Sequence, residues 1–147
     1  MAAQFRKILC PIDFSPNSIA ALDFALRLID GSDATMLLIN VVPSPVGAVT
    51  VPPVPLEPYP ILEESARARL KTLALERLEG KVRYEVAVST GDPATEIVSA
   101  AGALGADLIV MATHGRTGLK HFFLGSVAER VVRKAACSVM TARSDNA

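Results

Sequence analysis

Asp107-Leu108-Ile109-Val110-Met111-Ala112 is a short apolar run, and a polar, glycine-bearing stretch follows it at once: Thr113-His114-Gly115-Arg116-Thr117-Gly118-Leu119-Lys120-His121-Phe122-Phe123-Leu124-Gly125. Then comes Ser126-Val127-Ala128-Glu129. A continuous run of branched aliphatics reads as a strand buried on both faces, the situation of a parallel sheet covered by helices on both sides. A serine with a glutamate three residues later has the form of a capping box, so a helix is expected from Ser126 to about Ala135. Strand, glycine loop, helix is therefore the local plan.

The same plan extends in both directions. Upstream, Gly91-Asp92-Pro93 opens a helix with Asp92 as its cap, and Ile97, Val98, Ala101 and Leu104 give it an apolar face. Before it, Val82, Tyr84, Val86 and Val88 alternate with Arg83, Glu85 and Ala87, the mark of an edge strand with one less buried face. A helical pattern covers Ile61 to Leu78, with Gly80 as its stop. Thr35 to Val42 reads as a buried strand, as does Lys7 to Ile12. Between Ile12 and Thr35, Ser15 and Pro16 start a helix that Asp30-Gly31 ends. Downstream, Val139 to Ala142 is a last short strand. Strands alternating with helices predict an α/β fold with a doubly wound parallel sheet.

One interval breaks the rhythm. Pro43 to Pro60 holds seven of the ten prolines and reads as a surface loop, either an ordinary variable one or a recognition segment for a protein partner. No linker marks a second domain, so residues 1–147 are expected to form one. Lys plus Arg and Asp plus Glu each number 15, leaving no net charge to attract nucleic acid or an anionic membrane. Cys10 and Cys137 lack metal or CxxC spacing and read as buried reduced thiols; a redox switch has no support in the sequence. Met1 to Arg6 lacks the apolar core of a signal peptide, and no window reaches the ~18 unbroken apolar residues of a membrane span. A cytoplasmic location is expected.

In a doubly wound sheet, ligands bind beyond the carboxyl ends of the strands where the strand order reverses, commonly beside the first strand. Two strands end in residues with chemistry: Pro11-Ile12-Asp13 and Met111-Ala112-Thr113-His114. Gly115 and Gly118 permit the positive φ of an anion nest, and Gly125 permits close approach of a phosphate. The helix opening at Ser126 attracts negative charge, and Arg116 and Lys120 are local cations. Asp13 suits ribose hydroxyls; alternatively it is a turn residue, since it stands two before Ser15. His114 and His121 have no metal-ligand spacing, His121 reads as a solvated loop residue, and Phe122-Phe123-Leu124 as the buried side of the loop. Neither GxxxxGK[ST] nor GxGxxG is present, so P-loop and NAD readings fail.

Taken together, these segments resemble the universal stress protein family over nearly the whole chain. The carrying residues are Lys7 to Ser15, Gly91-Asp92-Pro93, Ala106 to Met111, His114-Gly115-Arg116, Leu124 to Val131, and Cys137 to Met140. The resemblance implies an open five-stranded parallel sheet of order 3-2-1-4-5 and a homodimer joined through the last strand, residues 138–142. It also implies ATP as ligand, through the pattern G-x2-G-x9-G-[ST], which falls on Ala112, Gly115, Gly125 and Ser126. The first glycine is alanine in this chain. By the same resemblance Pro11, Ile12 and Asp13 flank the adenosine, Val41 meets the adenine by its backbone, and Val127 and Ala128 offer N–H groups to phosphate. Met111, His114, Arg116 and Gly118 complete the expected set. Mg²⁺ would ride on the triphosphate, held by phosphates and water. The implied role is that of a stress-response or signalling protein, with at most slow ATP hydrolysis. Two other readings stay open: a nucleotide-free interaction module of the same fold, and an enzyme on an adenylated substrate with His114 as acid or base.

Overall fold

The apolar runs at residues 7–11, 35–43 and 108–112 form the centre of a parallel sheet, and their burial explains why they lack alternation. The computed structural model describes residues 5–44, 59–114 and 124–143. In chain order the elements are β1 (Lys7–Pro11), α1 (Pro16–Leu28), β2 (Thr35–Pro43), α2 (Tyr59–Arg77), β3 (Arg83–Gly91), α3 (Pro93–Leu104), β4 (Leu108–Ala112), α4 (Ser126–Lys134) and β5 (Ser138–Ala142). The sheet order is β3-β2-β1-β4-β5, all parallel, as the family resemblance implied. β1 lies between β2 and β4, with Ile8 opposite both Met36 and Leu108.

Alternate residues of each central strand feed two separate cores. Ile8, Cys10, Met36, Leu38, Leu108 and Val110 pack under α1 and α2, against Leu22 and Leu70. Leu9, Leu37, Ile39, Ile109 and Met111 pack under α3 and α4, against Ile97 and Val131. Ile8, Leu9, Leu38, Ile109 and Val110 have no exposed surface, and each such side chain contributes roughly 1.5–3 kcal/mol by leaving water. β3 lies at the sheet edge with no residue fully buried, in accord with its alternation.

Two helix starts follow their sequence signals. Ser15 caps α1 by accepting the Ser18 N–H at 3.2 Å, with Pro16 in the first turn. Asp92 caps α3 by accepting the Thr95 N–H at 3.0 Å, with Pro93 following. The third helix starts at Ser126 as expected, but its cap is a correction. The N-cap of α4 is Gly125, not Ser126, and no side chain among the described residues caps it, so the expected capping box is not formed. Glu129 instead pairs with Arg133 one turn on. β2 and α2 also reach into the Pro43–Pro60 interval expected as a loop, one at each end. Pro43 closes β2, and Pro60 sits in the first turn of α2, where a missing N–H costs no intrahelical bond. The rest of that interval, residues 45–58, lies outside the described residues. Cys10 is buried, and burial raises its thiol pKa. Cys137 is only half-buried, contrary to expectation, because it precedes the edge strand β5.

Candidate functional site

β1 and β4 are neighbours whose following helices leave to opposite faces of the sheet, α1 to one and α4 to the other. Their carboxyl ends therefore border the crevice at which a doubly wound sheet takes its ligands. Asp13 follows β1 and Gly125–Ser126 precedes α4, both at this edge of the sheet. Val41 lies near the same edge, at the end of β2.

The turn after β1 is tightly determined. Asp13 Oδ1 accepts the Ser15 N–H at 2.9 Å, so the carboxylate does act as the turn residue that its spacing allowed. Phe14, between them, has φ of 64°, a left-handed conformation that costs a non-glycine residue roughly 1–2 kcal/mol. The Arg69 guanidinium of α2 lies over the Phe14 ring, 3.9 Å from its centroid, and offsets part of that cost. The side chain of Asp13 is thus held in one place at the crevice rather than free to rotate. Ile12 is 2% exposed, with its side chain in the core under α1 and α2, so only its backbone can face a ligand. Pro11 is half-buried.

On the β4 side, the Gly125 N–H donates to Thr113 O at 2.6 Å and closes the neck of the loop that separates them. Thr113 N–H in turn donates to Ala142 O at 3.2 Å, extending the β4–β5 ladder to the neck. A Cβ built on Gly125 would stand 3.1 Å from Thr113 O, so glycine here serves the close approach of two backbones. The first intrahelical bond of α4 is Glu129 N–H to Gly125 O at 3.0 Å. The N–H groups of Ser126, Val127 and Ala128 have no intrahelical acceptor, and the helix dipole adds positive potential at that end. Ser126 is exposed, Val127 half-buried and Ala128 buried, so Ala128 can offer only its backbone.

His114 lies beside this helix start. Its Nδ1 is 3.1 Å from Thr113 Oγ1, and its Nε2 is buried without a partner among the described residues. Met111 is buried in the core under α3 and α4, and Ala112 pairs with Ala142 of β5. Gly115, Arg116 and Gly118, like Lys120 and His121, lie outside the described residues.

Two contacts near the site were not read from the sequence. Arg130 of α4 grips Asp92 through both carboxylate oxygens, at 2.9 and 2.8 Å, tying α4 to the start of α3. These bonds, with those from Thr95, hold the Asp92 carboxyl well below the usual carboxylate range. A pairing between residues 38 apart leaves no local signal. The second is Asn40, whose Nδ2 donates to Ile12 O at 2.8 Å. Its signal was visible: a single amide inside the apolar run Met36 to Val42.

Fold and site define a doubly wound α/β protein with a helix terminus that no side chain caps among the described residues, and a fixed carboxylate, at its switch point. The sequence matches the model of the universal stress protein family over residues 4–143, and the chain belongs to that family. It is 36% identical to the universal stress protein MJ0531 of Methanocaldococcus jannaschii, over 95% of this chain and 82% of that one. Its structure resembles that of MJ0577 from the same organism with a TM-score of 0.81, at 28% identity and over 97% and 99% of the two chains. A family member from Arabidopsis thaliana, solved with AMP bound, shares the fold with a TM-score of 0.63, at 22% identity and over 96% and 93%.

Proposed function

We propose that this universal stress protein binds ATP at the β1–β4 crevice and acts as a regulatory or signalling component of a stress response, not as a metabolic enzyme. The observation that carries the reading is the reversal of strand order between β1 and β4, with Asp13 after one strand and, after the other, the first turn of α4, which no side chain caps among the described residues. Asp13 accepts from the ribose hydroxyls. The N–H groups of Ser126, Val127 and Ala128 receive phosphate oxygens, and His114 Nε2 supplies a further donor. Gly115, Arg116 and Gly118 complete the phosphate end. Bound AMP in the Arabidopsis relative supports an adenine nucleotide as the ligand class. Mg²⁺ enters only as the counterion of the triphosphate, held by phosphate oxygens and water.

The chain acts as a cytoplasmic homodimer in this reading. Among the described residues β5 pairs with β4 alone, which leaves its outer edge as the surface offered to the β5 of a second copy. Among the described residues no helix is long and apolar enough to cross a membrane. A nucleotide-free interaction module has one observation in its favour: close packing against Thr113 explains Gly125 without any ligand. Calorimetry with ATP, ADP and AMP separates the two, together with extraction of nucleotide from the purified protein. Saturable binding or a copurifying adenine nucleotide supports the first; no heat at millimolar ATP supports the module.

A further inference from the structure

The buried polar residues among the described ones are Ser15, Ser18, Asn40 and Thr113. Ser15 and Ser18 serve the start of α1, and Thr113 the neck of the loop. Asn40 has no comparable duty, yet it stands inside the most apolar part of β2 at 9% exposure. Burying an amide there is unfavourable unless its hydrogen bond does something an aliphatic side chain cannot.

Its partner shows what that is. The Ile12 N–H donates to Ile39 O at 2.8 Å, so the polar groups of Ile39 face β1. Val41, two residues on, faces the same way. In a parallel ladder the residue that donates to one partner residue accepts from the partner two positions later. Ile12 O would therefore accept the Val41 N–H next. It accepts Asn40 Nδ2 instead, at 2.8 Å, and β1–β2 pairing ends at Pro11 opposite Ile39. On its other edge β2 continues to pair with β3 as far as Pro43 opposite Gly91. Val41 is thus kept extended by β3 while its N–H and C=O turn toward the space beyond the end of β1.

We propose that Asn40 is a positioning residue for the base of the nucleotide. This rests on the reading of the crevice as an adenine-nucleotide site. By occupying Ile12 O, the amide prevents the ladder from closing one rung further. The Val41 N–H and C=O remain as an adjacent donor and acceptor, matching N1 and the 6-amino group of adenine. Guanine carries the opposite order, an N1–H donor beside a 6-oxo acceptor, so the same edge disfavours it. The bond also holds Ile12 to β2, and with it the Asp13 turn.

The test uses Asn40→Leu, which keeps the branched shape with the same number of heavy atoms and loses the donor, and Asn40→His, whose ring N–H restores one. In the ligand-free protein, the Val41 amide of wild type exchanges with solvent at least tenfold faster than that of Ile39. Asn40→Leu slows it by letting Val41 take Ile12 O. Calorimetry then shows ATP affinity at least tenfold weaker in Asn40→Leu, GTP affinity unchanged, and ATP affinity restored in Asn40→His. An equal loss for ATP and GTP, or an ATP affinity that does not change, overturns the proposal. So does a Val41 amide already as protected as Ile39 in wild type. If wild type binds no adenine nucleotide at all, the proposed function falls and Asn40's role in base recognition falls with it. The exchange rates still report separately whether Asn40 ends the ladder.

Discussion

Gly125 joins the fold and the proposed site at one atom, so substituting it separates two kinds of effect. Its φ of −68° and ψ of 165° are open to any residue, which removes backbone strain from the comparison. What remains is space and capping. Alanine puts a methyl 3.1 Å from Thr113 O, the same oxygen that accepts the Gly125 N–H at 2.6 Å. Relief requires the neck to open by a few tenths of an ångström, weakening a hydrogen bond worth about 0.5–1.5 kcal/mol. Alanine is also a poorer N-cap than glycine, by roughly 0.5–1 kcal/mol. Together these predict that Gly125→Ala loses about 1–2.5 kcal/mol. Gly125→Ser crowds the neck equally but brings an oxygen able to accept a first-turn N–H, returning about 1 kcal/mol. That oxygen also occupies an N–H group assigned to phosphate. The serine variant should therefore be the more stable of the two and still bind ATP more weakly than wild type. Urea denaturation and calorimetry on the three proteins measure this. Equal stability of Gly125→Ala and wild type refutes the neck argument, and full ATP affinity in Gly125→Ser refutes the assignment of the helix start to phosphate.

Other perturbations follow from single contacts. Asp13→Asn keeps an oxygen for the Ser15 N–H and removes the charge, so folding is retained while ATP affinity falls by about 1–2 kcal/mol, as calorimetry reads it. Asp92→Asn keeps the helix cap and loses the ion pair with Arg130. Because the folded carboxyl titrates below its unfolded value near 4, its contribution is complete above about pH 4 and is lost as pH falls further. The stability gap between wild type and Asp92→Asn should thus narrow between pH 7 and pH 3 in denaturant melts, and solvent exposure keeps it small throughout. Ile109→Ala, in the fully buried centre of β4, should cost about 2–5 kcal/mol, against under about 0.5 kcal/mol for the exposed Leu75→Ala.

The elements themselves were legible because burial leaves a local trace. β1, β2 and β4 read as continuous apolar runs because helices cover both of their faces, and β3 alternated because it is an edge. Ser15 and Asp92 announced their helices by side chains that cap within three residues. The neighbours of each strand were not legible from periodicity. Nothing in Ile8 says that it will face Met36 and Leu108, and the order came from resemblance to a family. Ser126 is not the cap that the serine–glutamate template suggests, because that template is local. The cap is decided instead by the return of Gly125 to Thr113, twelve residues away across the loop. The Asp92–Arg130 clamp was invisible for the same reason. Asn40 was legible in principle, since an amide in the middle of an apolar strand must be satisfied by something.

The central claim is that an adenine nucleotide lies with its phosphates at the start of α4 and its base at the end of β2. The most direct measurement is an ATP titration followed by amide NMR shifts in the full-length protein. The account predicts saturable shifts at Asp13, Val41, Ser126, Val127 and Ala128, with little change at the opposite end of the sheet around Gly80 and Glu85. No shifts at millimolar ATP, or shifts confined to that opposite end, would contradict it.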